Sequence, residues 1–307
     1  VDPATGRVPD LLAWCVGTLA NIVPDPSAVS LVITGDFVGS VRSRFPDDPS
    51  VEGFNLTRGT GMVAAKTMER SDGTIDVLMH AGYFAAGLDQ EQQVAAAQIV
   101  PRTLVHEAAH VCTLQNKETY EHSGPPGRDG DLASLGYAIL DEYRAELSVP
   151  LELREGELPL DFLLTLDTLA EALGQAVADY QQHHEVRVML EQVVDAASVS
   201  CKPMACMAAL ERLDPQQTPL TDDVRADSCW QRMAGPQWPA FRRLLERAGP
   251  GDEVMGAAAI EALVGELATL LLVWLSDLGF DWTEDRFMIS NWYFEDEYFL
   301  RALTKSS

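Results

Sequence analysis

The chain has 307 residues, 47% of them apolar and 22% charged, which is enough to bury a substantial core in one large or two medium domains. Its formal net charge of −25 at pH 7 argues against a nucleic-acid partner, whose phosphates it would repel, and against attachment to anionic membranes through a basic patch. Acidity of this kind is expected to serve solubility before recognition of a basic substrate.

In chain order, residues 11–20 predict a short amphipathic helix, closed by the turn residues Pro24, Asp25 and Pro26. Residues 29–38 are β-rich and predict a strand; 46–53 predict a loop, and 61–68 a second strand. Ser71, Asp72 and Gly73 are a hairpin turn signal, followed by a third strand at 74–80. There Ile75, Val77 and Met79 alternate with Asp76, Leu78 and His80, the pattern of a strand with one buried face. Asp89 with Gln92 three residues later predicts a capped helix running to about residue 100. Pro101 then fits the first turn of a next helix, or a kink. Residues 122–131 read as a loop and 132–153 as a helix, with further helices near 160–195, 203–213, 236–248 and 253–278. No internal repeat or low-complexity tract is visible. The expected class is α+β: a small α/β lobe with a short antiparallel or mixed sheet over 1–117, ending in the helix after Pro101, then a mainly helical lobe over 118–307.

Five cysteines, Cys15, Cys112, Cys201, Cys206 and Cys229, do not suggest a disulfide framework, and a reducing compartment is expected. The chain does not open on a basic segment followed by an apolar one, and its most apolar run, 267–275, is flanked by Glu266 and Asp277 and is short of a bilayer span. The expectation is a cytoplasmic protein without a membrane segment.

The chemistry concentrates in His106-Glu107-Ala108-Ala109-His110. Histidines four apart share one helix face, so both imidazoles can reach one metal ion, and the intervening glutamate can reach a water there. Leu104, Val105, Ala108, Ala109, Val111 and Cys112 make this helix apolar nearly all round. Such a helix is buried, and buried imidazoles need partners. This is the HExxH pattern of zinc-dependent peptidases, which predicts Zn2+ as cofactor.

A third ligand must come from elsewhere. The extended pattern HExxHxxGxxH is excluded, because Thr113 stands at the glycine position and Asn116 at the third histidine position. About 30 residues beyond His110, the helical stretch 139–147 carries Glu142 and Glu146, stacked four apart. The chain thus resembles gluzincin-type, zincin-fold metallopeptidases over about residues 31–147. That resemblance implies Glu142 as third ligand, Glu146 as the carboxylate that hydrogen-bonds a ligand histidine, and Glu107 as general base. Glu146 itself, Glu118, Glu121 and His122 remain alternative ligands. The resemblance also implies an antiparallel edge strand just upstream of the metal helix, on which a peptide adds as a further strand; residues 74–80 occupy that place in chain order, and Gly82 would permit close backbone approach. Candidates for the oxyanion-stabilising residue are Tyr137, Tyr143, His80, His122, His183 and His184.

The implied function is hydrolysis of a peptide or protein substrate by a metal-activated water. Two other readings use the same residues: a catalytically silent binding or regulatory protein on a zincin fold, and a metalloenzyme acting on a non-peptide substrate, since two histidines and a carboxylate also describe a non-haem iron site. Oligomeric state is not legible.

Overall fold

The computed structural model describes residues 9–44, 54, 56–58, 61–85, 87–124, 127–154, 162–216, 218, 220–283 and 287–290. It is mostly helical with a small mixed sheet, in keeping with the α+β class. The chain divides into two compact units: Val1–Thr119 with Arg144–Leu158 and Pro250–Val254, and Tyr120–Tyr143 with Pro159–Gly249 and Met255–Ser307.

The first unit is built on three strands: β1 (Val29–Thr34), β4 (Ala65–Glu69) and β5 (Ile75–His80). Their order is β1-β5-β4, with β5 parallel to β1 and antiparallel to β4. A separate two-stranded ladder joins β2 (Thr57–Arg58) to β3 (Gly61–Met62). Helices α1 (Asp10–Ile22) and α3 (Gln90–Gln115) pack on one sheet face, where Leu19, Val23, Ile75, Val77, Ala108 and Val111 form one cluster and Cys15, Ala65, Met79, Val100 and Leu104 another. On the opposite face, α2 (Phe37–Arg44) brings Phe37 and Val41 against Leu78 and Phe54.

Several expectations change here. Residues 29–38 are not one strand: β1 stops at Thr34, because the Asp36 carboxylate accepts the Gly39 N–H and opens α2. Residues 61–68 divide into β3 and β4. The loop expected at 46–53 lies outside the described residues. The hairpin at Ser71–Gly73 forms, with Gly73 at φ 80° and the Arg70 N–H bonded to the Thr74 carbonyl. The strand after it, however, is central and buried on both faces rather than one. Leu78 is covered by α2, and Asp76 is buried because Arg44 Nε donates to its Oδ2 at 2.9 Å.

Asp89 and Gln92 form the expected capping box, and a single 26-residue helix follows. Pro101 lies inside it and removes one backbone donor without ending it; burial of Ala96, Val100 and Leu104 on either side of that position outweighs the loss. The helix stops where Lys117 turns left-handed (φ 57°) and the Glu118 N–H bonds back to the Thr113 carbonyl.

The second unit is helical. α4 (Arg128–Leu147) contributes its residues up to Tyr143 to this unit and those from Arg144 to the first; its helix ends earlier than 153, and a short 3-10 turn follows at Leu151–Arg154. α5 (Phe162–His183) and α6 (Val186–Leu213) are separated at His184, whose φ of 57° breaks the helix expected to run to 195. α6 then passes through Pro203 instead of starting there. α7 (Asp222–Ala226), α8 (Ser228–Met233), α9 (Trp238–Leu245) and α10 (Ala257–Asp277) complete the helices among the described residues. An antiparallel pair of β6 (Phe280–Trp282) and β7 (Phe287–Ile289), not foreseen from the sequence, comes last among the described elements. Gly136 lets α4 approach α10: a Cβ there would stand 3.2 Å from both Leu267 Cβ and the Val264 carbonyl oxygen. An aromatic run of Phe162, Trp230, Trp238 and Phe241 packs in ring contacts of 5.7–5.9 Å. No disulfide links any of the five cysteines. α6 and α10 are long and apolar enough to cross a membrane by length and composition, unlike the shorter run considered from sequence, and 56% and 39% of their most apolar windows are buried in the protein.

Candidate metal centre

α3 carries Leu104, Ala108 and Val111 into the sheet core, and this fixes the rotation of the whole helix about its axis. His106 and His110 consequently share the half-buried face, with their rings edge-on at a centroid distance of 4.8 Å and their Nε2 atoms 3.2 Å apart. Glu107 projects from a neighbouring direction and is buried. Its Oε2 accepts the Thr67 hydroxyl proton at 2.7 Å.

Glu146 lies against the opposite nitrogen of the first histidine: its Oε2 is 3.1 Å from His106 Nδ1. With the proton on Nδ1 the imidazole donates to the carboxylate and leaves the Nε2 lone pair for a ligand. The other Glu146 oxygen accepts from Arg102 Nη2 at 2.7 Å and from Arg154 Nη1 at 2.9 Å. Arg154 Nη2 also donates to the Glu146 carbonyl, and its Nε donates to the Val149 carbonyl. Burial alone would raise the Glu146 carboxyl. The hydrogen bond to His106 and the guanidinium charges of Arg102 and Arg154 overcome that and bring it down to about 2. Glu146 is therefore a fixed anion.

One helical turn before Glu146, Glu142 completes the group. His106, His110 and Glu142 each offer one ligand atom, these atoms lie within 4.8 Å of one another, and together they could hold a metal ion. Two imidazoles and one carboxylate suit a divalent transition metal and leave a coordination position open. Glu142 Oε1 also accepts from Lys202 Nζ at 2.8 Å.

The other residues singled out from sequence have different surroundings. Glu118 is buried against Arg144, whose Nη2 donates to it at 2.9 Å and to the Pro250 and Glu253 carbonyls. The His80 Nδ1 accepts the Gly82 N–H. Tyr143 is fully buried; its hydroxyl accepts from Arg212 Nη1 at 3.2 Å, and burial raises its pKa against that bond. Tyr137 stacks on Tyr120, and His184 meets the edge of Tyr180. His183 ends α5 as an exposed residue. His122 lies beside Gly124 and Gly130, and Glu121 is exposed.

Sequence reasoning missed Arg102, Arg154, Thr67 and Lys202. Arg102 was findable, since it stands four residues before His106 on the same helix face. Thr67 and Arg154 carry no local signal, because their partners lie 40 and 8 residues away across turns of the chain. The strand beside Glu107 is also not the one expected. Residues 74–80 form the central β5, whereas β4 is the edge strand that touches α3, and among the described residues no strand pairs with its outer side. No protein-family model, curated protein or solved structure matches the chain.

Proposed function

We propose that the protein is a zinc-dependent metallopeptidase of the gluzincin type, with His106, His110 and Glu142 as ligands and Glu107 as general base. The observation that carries this reading is the convergence of the three ligand atoms within 4.8 Å, with a buried carboxylate on Nδ1 of the first histidine. The nitrogen spacing supports it further. Two nitrogens at the zinc–nitrogen distance and tetrahedral angle stand about 3.3 Å apart, and the two Nε2 atoms here are 3.2 Å apart.

A zinc ion bound there would supply Lewis acidity to the attacking water and the scissile carbonyl. His106 and His110 would hold the ion through Nε2, and Glu146 keeps the His106 proton on Nδ1 and the ring in place. Glu107 accepts the proton of the attacking water and delivers it to the leaving amine. Its burial keeps bulk water from competing for that proton. The side of β4 on which no described strand pairs suits a peptide that adds to the sheet in extended form, by main-chain hydrogen bonds that are independent of sequence.

The test is digestion of a fluorogenic peptide mixture, randomised around the scissile bond, by zinc-loaded protein and by Glu107→Gln. The wild type should cleave it. The variant should retain its zinc and cleave at least about 100-fold more slowly. A zinc-loaded wild type that cleaves nothing, or a Glu107→Gln variant of full activity, overturns the reading.

A further inference from the structure

β4 lies along α3 with one face against it. Ala65 packs in the cluster of Val100 and Leu104, and Glu69 Oε1 receives Lys117 Nζ at 3.3 Å just beyond the helix end. Thr67 stands between them on the same face, by the two-residue period of a strand. The next residues along the strand turn away: Lys66 lies over the Phe54 ring at 5.4 Å, and Met68 packs in the cluster of Phe37, Val41 and Leu78. Thr67 is therefore the polar position at the middle of an otherwise apolar or charge-capped contact. Its hydroxyl meets Glu107 twice, at 2.7 Å from Oε2 and 3.2 Å from the carbonyl oxygen. One hydroxyl has one proton to donate, and the shorter contact to the carboxylate takes it.

We infer that Thr67 is the positioning residue for Glu107: it holds Oε2 and thereby presents Oε1 as the oxygen that accepts the water's proton. This rests on the peptidase reading and adds a consequence to it. The strand that receives the peptide and the group that accepts the proton are joined by one hydrogen bond, so pairing along β4 sets the distance from scissile carbonyl to base. A buried carboxylate without that bond has several rotamers open to it, and misplacement of a catalytic group by about 1 Å costs on the order of 100-fold in rate.

The test compares Thr67→Val, which keeps the branched shape and loses the hydroxyl, with Thr67→Ser, which keeps the hydroxyl. Crystal structures of both zinc-loaded variants read the inference without recourse to activity. In Thr67→Val the Glu107 carboxylate should leave its present position, and in Thr67→Ser it should keep it. Zinc affinity should stay within about 3-fold of wild type in both, because neither ligand histidine is touched. On the same randomised peptide mixture, kcat should fall about 10- to 100-fold in Thr67→Val with KM little changed, and Thr67→Ser should recover most of it. A Glu107 carboxylate unmoved in Thr67→Val overturns the inference, as does a loss that Thr67→Ser fails to recover. Should the wild type cleave nothing, the peptidase reading falls while the crystallographic comparison still decides whether Thr67 positions Glu107.

Discussion

Glu142 and Glu146 stand one turn apart on α4 and carry the same side chain, yet their surroundings differ. The Glu146 side chain is 1% exposed, is gripped by Arg102 and Arg154 and faces His106 Nδ1. The Glu142 side chain is 20% exposed and meets Lys202, itself 38% exposed. Two planar guanidiniums fix a carboxylate in one orientation, whereas an ammonium on a flexible stem lets it turn an oxygen toward a metal. On the proposed reading, two glutamates at helical spacing would divide into ligand and orienter by what surrounds each one. Spacing alone does not distinguish them.

The strongest way to break this comparison is to remove each carboxylate in turn and measure zinc affinity by competition with a chelator. Glu142→Ala should weaken binding by about three orders of magnitude or more, since a ligand is lost. Glu146→Gln should weaken it about 10- to 100-fold, since an oriented histidine becomes a loose one. Reversed severities would exchange the two roles, and equally mild losses would put the third ligand elsewhere.

Stability should separate the pair in the opposite sense. Glu146→Ala leaves Arg102 and Arg154 facing each other without their anion, and breaking a buried pair by removing one partner costs about 3–5 kcal/mol. Glu142→Ala removes a partly exposed partner of Lys202 and should cost about 1 kcal/mol or less. Denaturant unfolding of both variants in metal-free buffer reads the difference. Equal losses would mean that the Glu146 cluster is no more than another solvated ion pair.

How much of this was legible from sequence follows from the range of the interactions. The pairs His106/His110 and Glu142/Glu146 are local, four residues apart, and helix geometry puts each on one face. The Asp89–Gln92 capping box and the Asp72–Gly73 turn are local as well, and they formed as read. The place of β5 in the sheet was not legible. Asp76 looks like a solvent-facing residue until Arg44, 32 positions earlier, is brought to it. Leu78 shows its second buried face only once α2 covers it. The break at His184 is similarly hidden, because a left-handed histidine carries no sequence signature comparable to glycine. The edge strand beside Glu107 therefore could not be chosen correctly before the strand order was known.

Lys202 gives the finest test of the comparison, with the smallest expected effect. Its ammonium lies 2.8 Å from Glu142 Oε1, so a metal bound through the same carboxylate shares it with a positive charge. At an effective dielectric suited to the protein surface, that repulsion is a few kcal/mol before solvent screening and well below it afterwards. Lys202→Met keeps the stem's packing and removes the charge. Zinc affinity should rise, by about 3- to 10-fold at low salt, and the gain should shrink as ionic strength increases. A fall in affinity would show that the ammonium orients the Glu142 carboxylate more than it repels the metal. In that case Glu142 would depend on a cationic neighbour for its geometry just as Glu146 does, and the contrast between the two glutamates would narrow to burial alone.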